Sequence, residues 1–293
     1  MALSPYPATV TMPKVAKPYP SVLDFLCLRF PKIERSSWER RIAEGKVLGE
    51  DGSPITSVSE YAPQKRIFYF REVEHEAPIP FPEQILFQNQ DFLVSCKPHF
   101  LPVTPGGAYV DECLLHRLRK STGNDDLVPM HRIDRETAGI VLFSANKRTR
   151  VQYCELFRTG KVEKTYHAIS AGSVDPEKRA WLVENRMVPG APWFRMETAA
   201  GPANARSRIE LVETKQGMSR FLLTPLTGKT HQLRLHMSGL GFGILNDRYY
   251  PELQPQGPDA FDSPLQLLAK AVKFQDPVTG KQMGFESERK LLW

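Results

Sequence analysis

The chain is poor in cysteine. It has four among its 293 residues, Cys27, Cys96, Cys113 and Cys154, and no two of them form a CxxC pair. This spacing indicates neither a structural zinc site nor a disulfide framework, so we expect reduced thiols. Long apolar runs are also lacking: none approaches the roughly 18 residues of a membrane span, and the first residues lack the apolar core of a signal peptide. We therefore expect a cytoplasmic protein with no membrane partner.

Charge of both signs is abundant, with an excess of cations. There are 39 Lys and Arg residues against 33 Asp and Glu residues, a net charge of +6, and the pI is about 9.1. A basic balance favours a polyanionic partner, although many basic proteins bind no nucleic acid. Charge alone leaves the class of partner open.

The N-terminal part has the pattern of a small module. Residues 1–15 are rich in proline and predict an irregular tail, and residues 16–75 contain two predicted helices, one after Ser21 and a basic one from Ser36 or Ser37. A hairpin is predicted around the Asp51-Gly52 turn. The proline-rich residues 76–84 predict a linker.

Residues 85–293 predict one larger domain. Helices are expected near residues 111–123 and 146–158, and strands near 140–143 and 164–170. Strands and helices do not alternate regularly, so the pattern predicts an α+β fold with a mixed, mainly antiparallel central sheet flanked by helices.

A lone acid stands between two arginines just before the apolar stretch that follows Gly139. In the segment "HRIDRETAGIVLF", Asp134 lies between Arg132 and Arg135. Asp134 has two readings from the residues alone. It either caps a turn and pairs with a surface arginine, or is a carboxylate held ionised beside cations where a nucleophile is needed.

Several motifs together resemble one enzyme family. "HRIDRETAGIVLFS" resembles the "HRLDxxTSGxxxxA" signature of RluA-type pseudouridine synthases, and "EKTYHAI" and "TGKTHQLRLHMSGLGFGILNDRYY" resemble two further blocks in the same order. The opening "ILFQNQDFLVSCKPHFLPVTPGG" is also similar, so the likeness covers roughly residues 80–290. The N-terminal helices and hairpin resemble an S4 RNA-binding module at residues 16–75.

The resemblance implies an isomerase that converts uridine to pseudouridine in structured RNA, ribosomal or transfer, as a monomer without cofactor or metal. It implies Asp134 as the carboxylate that attacks the sugar or assists C2′ deprotonation, Tyr166 as a stacking surface or base, and Arg234 as the partner of Asp134. Arg132 would enter the space left when the target uridine turns out of the stack. Further RNA contacts are expected from Arg135 (a phosphate or structural contact), Lys164, Lys229, His131 and Gln232.

Four alternatives bear on this interpretation. Thr230 to His236 fits a strand of period two, but Gly239 and Gly241 favour a helix from about Thr230, with its N-terminus near the RNA beside Lys229. A catalytically silent RNA-binding protein or RNA chaperone could keep the same fold, although an intact set of Asp134, Tyr166 and Arg234 argues against it. A nucleotide-binding enzyme is disfavoured because "TGKT" lacks the glycine spacing of a P-loop. A metal site is disfavoured because the spacings of His131, His231 and His236 match no common zinc pattern.

Overall fold

A computed structural model describes residues 2–172, 179–255 and 257–292 of the chain. The chain divides into two units: residues 1–77 with 105–111 form the smaller, and residues 78–104 with 112–293 form the larger. The division falls inside the predicted linker at residues 76–84. The assignment of residues 105–111 to the smaller unit was not predicted from the sequence.

In residues 2–77 and 105–111, the smaller unit contains two helices and five short strands. Both predicted helices are present, and the first begins as expected after Ser21, whose Oγ accepts a hydrogen bond from the backbone N–H of Asp24 at 3.1 Å. The three-stranded antiparallel sheet has the order β2-β4-β3, and β1 pairs with β5. The elements are α1 Val22–Arg29, α2 Arg35–Ala43, β1 Ala2–Leu3, β2 Ala8–Thr11, β3 Val47–Leu48, β4 Arg66–Tyr69 and β5 Glu72–Val73.

The prediction of an irregular tail at residues 1–15 was wrong. Strand β2 pairs with β4 in the register Ala8↔Tyr69 to Thr11↔Arg66, and Met12 is buried in the core of this unit. The prolines misled the interpretation because they flank β2 and do not interrupt it, so the four residues of the strand keep every backbone donor. The predicted hairpin is present only as β3 and a single bridge from Leu48 to Pro54.

One acidic side chain pairs with a cation of the basic helix α2 and with a cation just after it. Arg41 donates to Glu72 at 3.0 Å and Lys46 donates to the same carboxylate at 2.8 Å. Burial opposes ionisation of Glu72, but the hydrogen bonds from Lys46 and Arg41 outweigh it and lower the pKa of Glu72 to about 2. These two cations therefore stabilise the smaller unit itself.

In the described part of the larger unit, eleven strands form one sheet with three helices beside it. The strand order is β12-β11-β13-β14-β10-β15-β9-β7-β6, with β16 paired to β15 and β8 paired to β9. The elements are β6 Gln84–Gln88, β7 Phe92–Lys97, α3 Leu114–Thr122, β8 Val128–Pro129, β9 Ala138–Ser144, α4 Arg150–Arg158, β10 Glu163–Ala171, β11 Ala180–Pro189, β12 Met196–Ala199, β13 Ala205–Lys215, β14 Met218–Pro225, α5 Gln232–Gly239, β15 Leu267–Gln275 and β16 Gln282–Glu286.

The predicted fold class is confirmed. The pairing of β9 with β15 is parallel, and the other described strand pairs are antiparallel, which makes the α+β sheet mixed and mainly antiparallel. Helix α4 begins at Arg150, four residues later than predicted. Asp91 accepts hydrogen bonds from Asn146 at 3.1 Å and Thr149 at 2.8 Å, and these contacts hold the preceding turn outside the helix.

Two apolar clusters fix the strands that carry the site. One cluster includes Phe92, Ile140 and Tyr153 and packs α4 against β7 and β9. The other includes Phe221 and Met237 and packs α5 against β10 and β14. Because both clusters hold neighbouring strands of one sheet, the loop before β9, the start of β10 and helix α5 have fixed places relative to one another.

The junction of β9 and β15 requires glycine at position 139. Gly139 has φ +114 and pairs with Ala269, and a Cβ at this position would lie 2.2 Å from the carbonyl oxygen of Ala269. We predict that Gly139→Ala lowers the free energy of unfolding by about 3 kcal/mol or more, because both the backbone conformation and the contact become unfavourable. Urea denaturation measures this change.

Gly280 provides the matched control. It also has a positive φ, +72, but nothing lies within 4 Å of the position of its Cβ. Gly280→Ala should therefore cost only the backbone term, about 1–2 kcal/mol. Equal losses in the two variants would show that the close approach of β15 is unimportant.

Candidate active site

The site is built around a buried arginine on helix α5. The side chain of Arg234 is 1% exposed, and its guanidinium forms a two-bond pair with Asp247, Nε to Oδ2 at 2.8 Å and Nη2 to Oδ1 at 2.6 Å. Burial opposes the charge of Arg234, but the hydrogen bonds with Asp247 outweigh it and raise the pKa of the guanidinium. Arg234 is therefore a permanent cation with a fixed orientation.

The segment after Asp247 completes the support of this guanidinium. Oδ1 of Asp247 accepts hydrogen bonds from the backbone N–H of Tyr249 at 2.8 Å and of Tyr250 at 3.2 Å. The ring of Tyr249 lies 4.7 Å from the Cζ atom of Arg234. The carboxylate and the aromatic face thus leave one guanidinium nitrogen, Nη1, for a partner elsewhere.

That partner is Asp134. Nη1 of Arg234 lies 3.4 Å from Oδ2 of Asp134 and 3.8 Å from Oε2 of Glu136. The side chain of Asp134 is 24% exposed, whereas those of Arg234 and Asp247 are almost fully buried. The two predicted partners, 100 positions apart in the chain, do meet, and Asp134 is the member that a substrate can reach.

Asp134, Tyr166 and Arg234 line one cavity. Its volume is about 920 Å³, within the size range of ligand sites, and its wall also includes Lys164 and Lys229. Tyr166 follows an irregularity in the pairing of β10 with β15 between Thr165 and Tyr166, the kind of feature that changes the direction of a side chain. Burial, with a smaller effect of the negative charge of Asp134, raises the pKa of Tyr166, so its phenol stays protonated near neutral pH.

Three of the predicted RNA contacts are cationic side chains that line the cavity: Arg132, Lys164 and Lys229. Arg132 and Lys229 are exposed, and Lys164 is half-buried. Burial lowers the pKa of Lys164. All three line the cavity with Asp134, so the structure places them where an approaching phosphate backbone could meet them.

The other three predicted RNA contacts have structural partners. Gln232 is 4% exposed, and its side-chain amide donates to the carbonyl of Arg206 at 2.8 Å and to Ser207 at 2.9 Å. Its oxygen accepts hydrogen bonds from Thr227 at 2.6 Å and from the backbone N–H of Lys229 at 3.0 Å. Gln232 therefore orders the loop before α5, and its polar side-chain atoms already have partners within the protein.

His131 and Arg135 are also held within the protein. Nε2 of His131 accepts from the backbone N–H of Leu142 at 3.1 Å, its ring stacks on Phe157, and burial lowers its pKa to about 3. Arg135 forms a two-bond pair with Asp259 at 2.7 and 2.8 Å. Of the two roles expected for Arg135, the geometry supports the structural one, and His131 is a neutral ring that positions the loop.

A lysine that the sequence motifs did not predict as a site residue fixes the loop of Asp134. Lys97 is fully buried and donates to the carbonyl oxygens of Pro98 at 3.0 Å, Leu101 at 2.6 Å and Arg135 at 2.9 Å. Burial lowers its pKa to about 7, opposed by the charges of Glu136 and Asp134. The bond to Arg135 anchors the residue after Asp134. The "CKP" motif was the available signal, but nothing in it shows that the lysine points inward.

Neither metal ligands nor a membrane helix is found in the described residues. Between residues 2 and 292, outside the gaps at 173–178 and 256, no three His, Cys, Asp or Glu side chains are grouped so that they could hold a metal ion. Nor does any described helix have the length and apolar character to cross a membrane.

The fold is that of RNA pseudouridylate synthases. The human RNA pseudouridylate synthase domain containing 1 has a TM-score of 0.58 at 21% identity, over 73% of this chain and 86% of that one. The human domain containing 4 protein has a TM-score of 0.54 at 25% identity, over 71% and 88%. These two solved structures share the architecture in which the cavity lies.

The sequence relatives carry the same class name. The dual-specificity RNA pseudouridine synthase RluA of Haemophilus influenzae is 30% identical over 226 residues, 74% of this chain and 97% of the relative. An uncharacterized RNA pseudouridine synthase of Synechocystis is 27% identical over 232 residues, 78% and 79%. The family model described as RNA pseudouridylate synthase matches residues 91–239. The chain therefore belongs to the RNA pseudouridylate synthase family, of the RluA type, and is an isomerase that acts on RNA.

The pair between Arg234 and Asp247 yields a stability prediction. In Asp247→Asn, either orientation of the amide places its NH₂ group against an N–H donor, of Arg234 or of the backbone. We predict a loss of about 3–5 kcal/mol in the free energy of unfolding, the range found when one partner of a buried ion pair is removed. Urea denaturation at constant pH and salt measures it.

Asp259→Asn is the matched control. Asp259 also forms a two-bond pair with an arginine, but the side chain of that arginine, Arg135, is 28% exposed. Because solvent screens this pair, the variant should lose about 1 kcal/mol or less. Equal losses in the free energy of unfolding would show that burial of Arg234 does not increase the contribution of its pair with Asp247.

Proposed function

We propose that Asp134 is the catalytic carboxylate of uridine isomerisation in a structured cytoplasmic RNA, ribosomal or transfer. The observation that carries this proposal is the meeting of Asp134 with the buried Arg234 at the wall of a cavity that also contains Tyr166. The curated relative from Haemophilus influenzae is named a dual-specificity RNA enzyme, which supports RNA as the substrate without selecting one uridine.

The reaction moves the glycosidic bond of the uridine from N1 to C5 and changes the protonation of these two atoms. The bond from N1 of uracil to C1′ of the ribose breaks, a bond from C5 to C1′ forms, the hydrogen on C5 leaves as a proton, and N1 gains one. Asp134 acts on the ribose, either by attack on the sugar or by assistance to C2′ deprotonation. Both routes use the oxygen atoms of the carboxylate, one of which lies 3.4 Å from Nη1 of Arg234.

Tyr166 and Arg234 have supporting roles in this proposal. The ring of Tyr166 provides an apolar face on which the loosened uracil can stack. Its raised pKa makes it a poor base at neutral pH, so stacking is the role that its surroundings favour. Arg234 holds Asp134 through Nη1 while Asp247 fixes its other two nitrogens. This division keeps the reacting carboxylate at one place in the cavity.

RNA reaches the cavity through its cationic rim. Arg132 is exposed two residues before Asp134, where we propose that it enters the space left by the turned-out uridine. Lys164 and Lys229 lie on the same cavity and would contact phosphates. His131 and Arg135 hold the loop that carries Arg132, and Gln232 holds the loop that carries Lys229.

The smaller unit is proposed to add RNA contacts of lower strength. The proposal rests on its resemblance to an S4 module and on two exposed cations of α2, Arg35 and Arg40, whose side chains are 55% and 52% exposed. Both are already paired with carboxylates, Arg35 with Asp24 and Arg40 with Glu72. An RNA phosphate would have to compete with these acids, so the cavity rim should dominate binding.

The experiment uses release of the C5 hydrogen. RNA labelled with tritium at C5 of uridine, taken from cells that lack the gene, is incubated with the wild type and with Asp134→Asn. The variant keeps the shape of the side chain but loses its charge, and we predict that tritium release falls by several powers of ten while RNA affinity is retained.

Asp126→Asn is the control, because Asp126 is an exposed acid that pairs with Lys147. It should release tritium within about twofold of the wild type, since its ion pair lies on the surface. Asp134 would lose its catalytic role if Asp134→Asn kept more than about a tenth of the wild-type activity. Such a variant would raise the activation free energy by less than about 1.4 kcal/mol.

A further inference from the structure

The hairpin between β11 and β12 has an ordered tip. The strands pair up to Pro189 and Met196, and the tip closes with a hydrogen bond from the backbone N–H of Gly190 to the carbonyl of Arg195 at 2.9 Å. A second bond joins the N–H of Arg195 to the carbonyl of Pro192 at 2.8 Å. The backbone that carries residues 192–194 is therefore held on both sides.

Tyr250 and Arg195 attach this tip to the segment that follows Asp247. The hydroxyl of Tyr250 accepts from the backbone N–H of Met196 at 2.7 Å and lies 3.2 Å from its carbonyl oxygen. Arg195 donates to the carbonyl of Pro251 at 3.0 Å, and its Cζ atom lies 4.9 Å from the centre of the Tyr250 ring. The tip is thus fixed to the residues that support the active-site arginine.

A chain of ring contacts connects the tip to the active site. The ring of Trp193 is 5.8 Å from that of Phe194, and Phe194 is 5.2 Å from Tyr249. Tyr249 in turn covers Arg234, whose Nη1 atom is 3.4 Å from Asp134. Trp193 is therefore three contacts from the arginine that holds the reacting carboxylate.

Trp193 exposes a large aromatic surface at the outer end of this chain of contacts. It is 74% exposed, and an indole left in water loses the free energy that burial of its ring would provide. An isolated exposed apolar residue is common on protein surfaces. Here, however, the exposed ring stands on a tip with an ordered backbone, three contacts from Arg234, so little backbone entropy would be lost if a flat partner stacked on it.

An unpaired nucleobase is the partner that fits. Every base has a π-face, and base modification takes the target nucleotide out of the stack, which leaves its neighbours without one stacking partner. An exposed indole on the same unit as the cavity can replace that partner for a flanking base. The hydrogen bonds from Met196 to Tyr250 and from Arg195 to Pro251 hold the backbone that carries the indole to the segment after Asp247.

We propose that Trp193 is a stacking platform for an unpaired base of the RNA that flanks the target uridine. This inference rests on the proposed function for the identity of the ligand, and it adds a residue that binds RNA outside the catalytic cavity. The platform is tolerant of sequence, because stacking uses the face of the base and not its edges.

The test compares two RNAs and four proteins. The RNAs are a hairpin with a loop of uridines and a blunt duplex of the same length. The proteins are the wild type, Trp193→Ala, Trp193→Phe and Leu182→Ala, where Leu182 is an exposed apolar residue on β11 (60%) away from the tip. Affinities are measured by titration at fixed salt, because phosphate contacts vary with ionic strength.

The expected result is a loss confined to the platform and to unpaired bases. Trp193→Ala should bind the hairpin about tenfold more weakly, the effect of removing one stacked aromatic side chain. Trp193→Phe should recover most of this loss, Leu182→Ala should match the wild type, and the duplex should not distinguish the four proteins. An effect of Trp193→Ala under about twofold on the hairpin, or an equal effect on the duplex, overturns the proposal, and so does failure of the wild type to bind the hairpin.

Tritium release from the same preparations separates this inference from the proposed function. Release by the wild type, with unchanged hairpin affinity in Trp193→Ala, rejects the platform and retains the activity. Weaker hairpin binding by Trp193→Ala, with no release from any RNA by the wild type, retains the platform and rejects the proposed function.

Discussion

The buried guanidinium of Arg234 is the constraint on which the site depends. A charge that is almost fully removed from water costs several kcal/mol unless its hydrogen bonds are satisfied, so its partners must be placed accurately. Asp247 takes two of the three guanidinium nitrogens and Tyr249 covers one face, which leaves Nη1 directed toward Asp134. The position of the Asp134 carboxylate is thus set by helix α5 and the segment after it as well as by its own loop.

The rest of the larger unit supplies fixed supports for this arrangement. Lys97 holds the loop of Asp134 through the carbonyl oxygen of Arg135, and Gly139 allows β15 to approach the start of β9. Gln232 orders the loop that leads into α5. Each support lies on a strand, on a helix or next to one, so the side chains of the cavity have fixed positions. In the proposed reaction, fixed positions would reduce the cost of organising these groups in the transition state.

The structure agrees with the predictions that rested on local residue patterns or on the order of the motifs. The mixed α+β sheet was predicted from the spacing of strands and helices, and the meeting of Asp134 with Arg234 from the resemblance to the family. Individual roles were harder to predict because they depend on where polar atoms point. Gln232 was expected to contact RNA, and its side-chain amide donates a hydrogen bond to Arg206 within the protein. Asp247 accepts two hydrogen bonds from Arg234, and residue spacing does not show such a side-chain geometry. Strand β2 was missed because its pairing partner lies more than fifty residues away.

The most direct test of the central claim is a map of pseudouridines in cellular RNA. Total RNA is treated with a carbodiimide and read by reverse-transcription stops in cells without the gene, and in the same cells supplied with the wild type or with Asp134→Asn at equal protein levels. The account predicts at least one stop that disappears without the gene, returns with the wild type and stays absent with Asp134→Asn. A map unchanged by loss of the gene, or a stop fully restored by Asp134→Asn, would contradict it.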